Sequence, residues 1–251
     1  MKHIVKGPPP AAFEEWKALA DGDWIPTYDG LQKPQKAELH VALLSEQAWV
    51  CCYCGQEISN TDSHVEHFRP QNQRDDLALS YENLYASCIR ETKPGMPLHC
   101  GHAKADNFDE ECHISPLDPA CEERFLYTLR GEILPTDLAD ERAAYMVGLL
   151  QLDIPFLRNR REDALQRTFD ADFLASVTAN ELRVLRDALR RHDSSGRAQS
   201  FGHVLARYAD QCLAAGWADD LIAAQTVTPS DKEEAAAVES DSAGAFSCPS
   251  E

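Results

Sequence analysis

The sequence predicts an α+β protein, a mainly helical body carrying one small loop-rich module, and three observations carry that prediction. Residues 51–70, CCYCGQEISNTDSHVEHFRP, hold three cysteines, two histidines and three acids. From there to about Pro119 the chain is dense in Cys, His, Asp and Pro and has little periodicity. On both sides of that stretch, apolar residues recur at helical spacing instead. A core needs no such density of metal-binding side chains, so the module reads as a β-hairpin plus helix held by metal.

The elements follow in order. PAAFEEWKALADG, residues 10–22, spaces Phe13, Trp16 and Leu19 as a short helix does, with Gly22 beyond its end. PQKAELHVALLSEQAWV, residues 34–50, starts on Pro34 and sets Leu39, Leu43 and Leu44 on one face, giving a helix that leads into Cys51. After Leu138 the pattern is helical again. ADERAAYMVGLLQLD carries Ala143, Met146, Val147 and Leu150. Residues 160–192 continue with a break near 178–180, and SFGHVLARYADQCLAAG closes the ordered part. The expected units are an N-terminal helical segment (1–50), the metal-held module (51–130), a helical C-terminal region (131–228) and an acidic tail (229–251). The tail has too few large apolar residues to offset its ordering entropy and reads as disordered.

Composition narrows the classes. No run approaches the roughly 18–20 apolar residues of a membrane span, and MKHIVKGPPP lacks the apolar stretch of a secretory signal. The expectation is a soluble protein in the cytoplasm, with no membrane partner. Nine cysteines cannot all pair, and in a reducing compartment clustered cysteines bind metal or react. The formal net charge of −18 opposes unaided binding to phosphates and points to a protein partner.

Cys51 and Cys54 form a C-x-x-C pair, the spacing at which two thiolates reach one ion. A redox motif would stand at a helix N-terminus after a strand, whereas here a helix precedes the pair and Gly55 follows in a turn. Cys88 in NLYASC and Cys100 in LHCGH supply the second pair, completing a structural Zn²⁺ site of four thiolates. Cys52, Cys112 and Cys121 are spare and could replace the fourth ligand.

Zinc does not account for HVEHFRP. Glu66 and His67 are adjacent, so a regular strand points them to opposite faces, but at a strand end both can address one site. An acid that holds a hard cation beside an imidazole that binds no metal makes a hydrolytic pair. His64, two before Glu66, shares its face and reads as a supporting or extra ligand. The ordered series is C-x-x-C, E-H-x-x-P, N-L-x-x-x-C and C-x-H-x-K. With it the chain resembles HNH endonucleases of the His-Me finger, or ββα-metal, superfamily. The opening MKHIVKG, then HVEHFRPQ, HCGHAK and ISPLDPACEERF, resemble more narrowly the HNH nucleases of Septu-type and retron-associated anti-phage systems (PtuB-like).

The resemblance implies a zinc-stapled ββα-metal module that hydrolyses phosphodiester bonds of DNA or RNA. His67 would be the general base and Asn83 would orient it, by its amide or by placing the loop. Glu66, with His102 or Asn107, would hold a catalytic divalent ion such as Mg²⁺. Arg69 and Lys104 would contact phosphate. The family's last metal ligand usually directly follows the cysteine, where this chain has Gly101, so the third letter of the motif is open between His102 and Asn107. The implied partners are an ATPase of the ABC/SMC-like type (PtuA-like), held through the helical region, and a retron reverse transcriptase with its RNA and DNA; stripes such as Leu182, Leu185 and Leu189 read either as internal core or as shared between core and interface. The rival expectation is a zinc-stabilised adaptor that binds the ATPase without cutting anything.

Overall fold

A computed structural model describes residues 1–214; the expected disordered tail lies outside them. The described chain is α+β, with α1 Ala11–Lys17, α2 Gln35–Glu46, β1 Ser63–His67, β2 Leu84–Cys88, α3 Gly101–Lys104, β3 Phe125–Tyr127 and β4 Ile133–Pro135. These are followed by α4 Glu141–Leu149, α5 Pro155–Thr168, α6 Ala171–Ser176, α7 Ala179–Leu189 and α8 Gly202–Ala214. The strands form two separate antiparallel pairs, β1 with β2 and β3 with β4. In the first pair Ser63 faces Cys88 and His67 faces Leu84, which sets a cysteine at one end and the acid–histidine pair toward the other.

α2 buries Leu39, Leu43 and Leu44, the face its periodicity marked. Just past its end, the buried Gln47 side chain donates to Val50 O (2.9 Å) and Ala86 O (2.8 Å) and accepts from Ala86 N (2.7 Å). One amide therefore fastens the helix to β2 immediately before Cys51. The helix expected from residue 160 begins earlier, at Pro155, a residue pre-set for a first helical position. It breaks twice rather than once, because Asp170 caps α6 by accepting from Phe173 N and Thr178 caps α7 through a capping box with Glu181. Leu182 and Leu189 are buried in the core, and Leu185 packs partly buried against it. α8 supplies much of the surface they pack against.

The helical body grips the cysteine-rich module at its turn. Phe201 N donates to Gly55 O (2.8 Å) and Ala198 N to Ala48 O (2.9 Å). Gly55 has φ +75°, and a Cβ there would lie 2.0 Å from His203 Cε1, so only glycine fits. Gly131 is as constrained: φ is +74° and a Cβ would meet Arg158 O at 2.1 Å. Its carbonyl also accepts from the buried Arg161 guanidinium (2.6 Å), which donates to Leu152 O as well (2.8 Å). Gly131→Ala is expected to cost on the order of 3 kcal/mol, combining strain at positive φ with overpacking. A fall in the denaturant midpoint at unchanged slope would register it; an unchanged midpoint would contradict it.

Candidate functional site

The four cysteines expected to act together do meet. The Sγ atoms of Cys51, Cys54, Cys88 and Cys100 all lie within 4.8 Å of one another, and all four side chains are buried. Cys54 and Cys88 are 3.9 Å apart, and a tetrahedron with metal–sulfur bonds of about 2.3 Å has edges of about 3.8 Å. The donor set fits a structural metal ion such as zinc. Cys51 and Cys54 come from the turn after α2, Cys88 ends β2, and Cys100 precedes α3 with φ 57° while donating its N–H to Leu150 O (2.8 Å). Burial pushes the Cys51 thiol up, but the surrounding thiols outweigh it and bring Cys51 well below its ordinary value. Burial and those same neighbours push Cys100 well above. One thiolate is thus favoured and further charge resisted, which is the balance a cation relieves. Cys52 and Cys121 lie outside the cluster.

Sequence reasoning missed His99. It is buried, its ring stacks on Phe156, and its Nδ1 lies 3.2 Å from Cys100 Sγ and 3.5 Å from Cys88 Sγ. An N–H there donates to thiolate sulfur and steadies the cluster. The signal was a histidine directly before a ligand cysteine.

Beyond the cluster, Glu66 points into the gap between β1 and α3 and is 6% exposed. Its Oε1 accepts from Tyr53 OH (3.1 Å) and pairs with Lys104 Nζ (3.1 Å), while Oε2 lies 3.3 Å from His64 Nε2. Burial raises the Glu66 pKa, but His64 and Lys104 outweigh it, so the carboxylate sits below its ordinary value and is ionised. Lys104 is not the surface cation expected to reach phosphate. Its ammonium is buried and also donates to His67 O (3.0 Å) and Ala105 O (3.2 Å). A buried carboxylate needs a buried counter-charge, and the lysine on α3 supplies it.

His67 is the last residue of β1 and is half-buried. Its Nε2 lies 3.1 Å from Ala78 O. A carbonyl only accepts, so Nε2 carries the proton and Nδ1 keeps the lone pair. Burial lowers the His67 pKa, outweighing the Ala78 contact, and the ring is neutral at neutral pH. Tyr28 meets it edge-on at 4.4 Å, with Lys36 above the Tyr28 ring. The Asn83 side chain makes its hydrogen bonds elsewhere than to His67. Its Oδ1 accepts from Arg69 N (2.8 Å), and its Nδ2 donates to Arg69 O (3.0 Å) and Leu77 O (3.2 Å). It closes the loop between β1 and β2 and so sets Ala78 against the histidine.

The remaining expected residues are differently placed. His102 donates Nε2 to Ile89 O (2.8 Å), with its ring 4.6 Å from that of His64. Asn107 is exposed and donates to Lys104 O (3.0 Å). Arg69 pairs with Glu110 through Nε and Nη2 and lies over the rings of Phe68 and Phe108. An open groove of about 1380 Å³ reaches His64 and Tyr28. On its lining Lys33, Lys36, Arg90, Lys93 and Arg160 outnumber Glu57, Asp62 and Glu91, a basic strip in an acidic chain.

No family model matches the chain. It is 27% identical over 147 residues to a Vibrio cholerae serotype O1 biovar El Tor protein described as "Retron Vc95 putative HNH endonuclease", covering 56% of this chain and 67% of that one. The resemblance carried by the motif series is thereby borne out: the chain is similar to a retron-associated protein of HNH endonuclease description.

Proposed function

From a chain similar to a retron-associated HNH endonuclease, we propose a metal-dependent endonuclease that hydrolyses phosphodiester bonds of nucleic acid. Its β1–β2 hairpin and α3 form the ββα-metal module, stapled by zinc on Cys51, Cys54, Cys88 and Cys100. The observation that carries the proposal is His67, a neutral imidazole held by Ala78 O with its lone pair on Nδ1, one residue along β1 from the ionised Glu66.

Nδ1 takes the proton of the attacking water as its oxygen bonds to phosphorus and the ester bond opposite breaks. The Nε2–H contact with Ala78 keeps the ring aimed and stabilises the imidazolium that forms. Asn83 acts through the loop that carries Ala78. Glu66 would hold a divalent ion such as Mg²⁺, which supplies charge stabilisation at the scissile phosphate and leaving oxygen. Lys36, Arg90 and Lys93 hold the strand in the groove, a role that the buried Lys104 cannot fill. By its similarity to a retron-associated protein, the protein works in the cytoplasm as the effector of an anti-phage system. Among the described residues no helix is long and apolar enough to cross a membrane.

Glu66→Gln keeps the shape of the carboxylate and removes its charge. Cleavage at low divalent concentration should fall roughly 10–100-fold and partly recover as the ion is raised. The change also strands the buried Lys104, so the comparison is made on protein with wild-type zinc content and melting; there, loss that no divalent concentration relieves would contradict the ligand role. The charge of −18 favours a partner that supplies binding and restraint, and we assign that role to a PtuA-like ATPase, with a retron reverse transcriptase and its nucleic acid as upstream components. Co-expressed nuclease and ATPase should co-elute on sizing; separate elution at micromolar concentration, with and without ATP, would contradict this. The same charge also favours the adaptor reading, which an intact protein that cuts no nucleic acid would support.

A further inference from the structure

We propose that His64 is the second protein ligand of the divalent ion held by Glu66, taking the place of the side chain that position 101 lacks; this rests on the metal-dependent nuclease reading above. Three features of the fold converge on it. The first is the bare face of α3. A Cβ on Gly101 would lie 2.4 Å from Glu66 Oε2 and 2.8 Å from His64 Nε2, so the start of the helix turns only a hydrogen toward the gap between those atoms. A ligand from that position is sterically excluded, and β1 fills the space instead.

The second is the spacing. His64 and Glu66 are two apart on β1 and share a face, with Nε2 and Oε2 3.3 Å apart. Two ligands on one ion, each about 2.1 Å from it and at right angles, are about 3.0 Å apart. The observed gap is close to that of neighbouring positions in an octahedral shell. The third is orientation. His64 Nδ1 donates to Ile89 O (2.7 Å), so Nε2 is the atom turned toward Glu66 Oε2; without an ion it shares a proton with that carboxylate, and an ion bound there takes the proton's place. A ligating histidine is held in this way, with its other ring nitrogen donating to a backbone carbonyl. His102 spends its Nε2 on the same carbonyl, and Asn107 is turned outward.

Of the two proposed ligands, the half-buried His64 lines the basic groove, while Glu66 lies behind it, 6% exposed. One imidazole beside one carboxylate suits Mn²⁺ better than Mg²⁺, because nitrogen donors bind the softer ion more tightly.

The test uses the zinc-loaded full chain and Mn²⁺ as probe, read by titration calorimetry and by the pulsed electron paramagnetic resonance signature of nitrogen bonded to Mn²⁺. Wild type should bind Mn²⁺ more tightly than Mg²⁺ and show the nitrogen signature. His64→Ala should weaken Mn²⁺ binding roughly 10–100-fold and lose the signature, whereas His102→Ala should keep both. Zinc content and melting temperature confirm that each variant is folded; should His64→Ala unfold, His64→Gln is read in its place. Mn²⁺ binding unchanged in the His64 variant, a signature lost with His102 instead, or no Mn²⁺ binding by wild type would each overturn the assignment. The two readings separate cleanly. A wild type that binds Mn²⁺ through His64 but cuts no nucleic acid overturns the nuclease and leaves the site, while divalent-dependent cleavage with His64→Ala unchanged overturns the site alone.

Discussion

Cys54→Ser is expected to lose the metal and, with it, the fold of the module. Structural zinc contributes about 10–16 kcal/mol of apparent binding free energy in small zinc modules, comparable with the whole stability of a typical domain, about 5–15 kcal/mol. Here the cluster joins the end of α2, the end of β2 and the start of α3, three elements with short strands and a helix of one turn between them. Gln47 also ties α2 to β2 and Lys104 ties α3 to β1, but α3 spans only Gly101–Lys104 and the cluster is where all three elements meet. A serine hydroxyl is a poor substitute for thiolate on zinc, so the variant should carry well under one zinc per chain and melt far below wild type or precipitate. Cys52→Ala, which changes a buried cysteine outside the cluster, should keep its zinc. Elemental analysis with circular dichroism melting reads both, and a Cys54→Ser protein with full zinc and wild-type melting would contradict the account.

His67→Ala is expected to fail differently. A general base contributes about 10²–10⁴-fold, or about 2.7–5.4 kcal/mol of barrier at 1.36 kcal/mol per tenfold. The His67 ring meets Tyr28 and Ala78 O, is absent from the cysteine cluster and lies at the edge of a strand. Its removal should therefore leave zinc content unchanged and melting close to wild type while cleavage falls by that factor. Cleavage at the wild-type rate would refute the base assignment. Loss of zinc in the same variant would show that the histidine is structural instead.

The two kinds of site were not equally legible in the sequence. Cys51, Cys54, Cys88 and Cys100 could be read because thiolates at knuckle spacing have few other uses, and α2 because its apolar face repeats. The partners of Glu66 could not. Lys104 looked like a surface cation because periodicity does not say which carboxylate a lysine will be buried against, and Tyr53 offered no pattern beyond lying between two cysteines. The third metal ligand was sought after Cys100, in His102 and Asn107, because family spacing puts it there. Only the backbone of α3 reveals that Gly101 faces Glu66 with no room for a side chain. The second helix break escaped notice because Asp170 reads as one more acid in a charged helix until its carboxylate is seen capping Phe173 N.

The most direct measurement of the central claim is cleavage by the purified, zinc-loaded chain, alone and with the proposed ATPase partner. Plasmid DNA, single-stranded DNA and RNA would be offered side by side in Mg²⁺, in Mn²⁺ and in EDTA. A phosphodiesterase built on Glu66 and His67 should cut at least one of these polymers with a divalent ion and none without. No cleavage of any polymer with either ion and with the partner present, or cleavage that persists undiminished in EDTA, would contradict it.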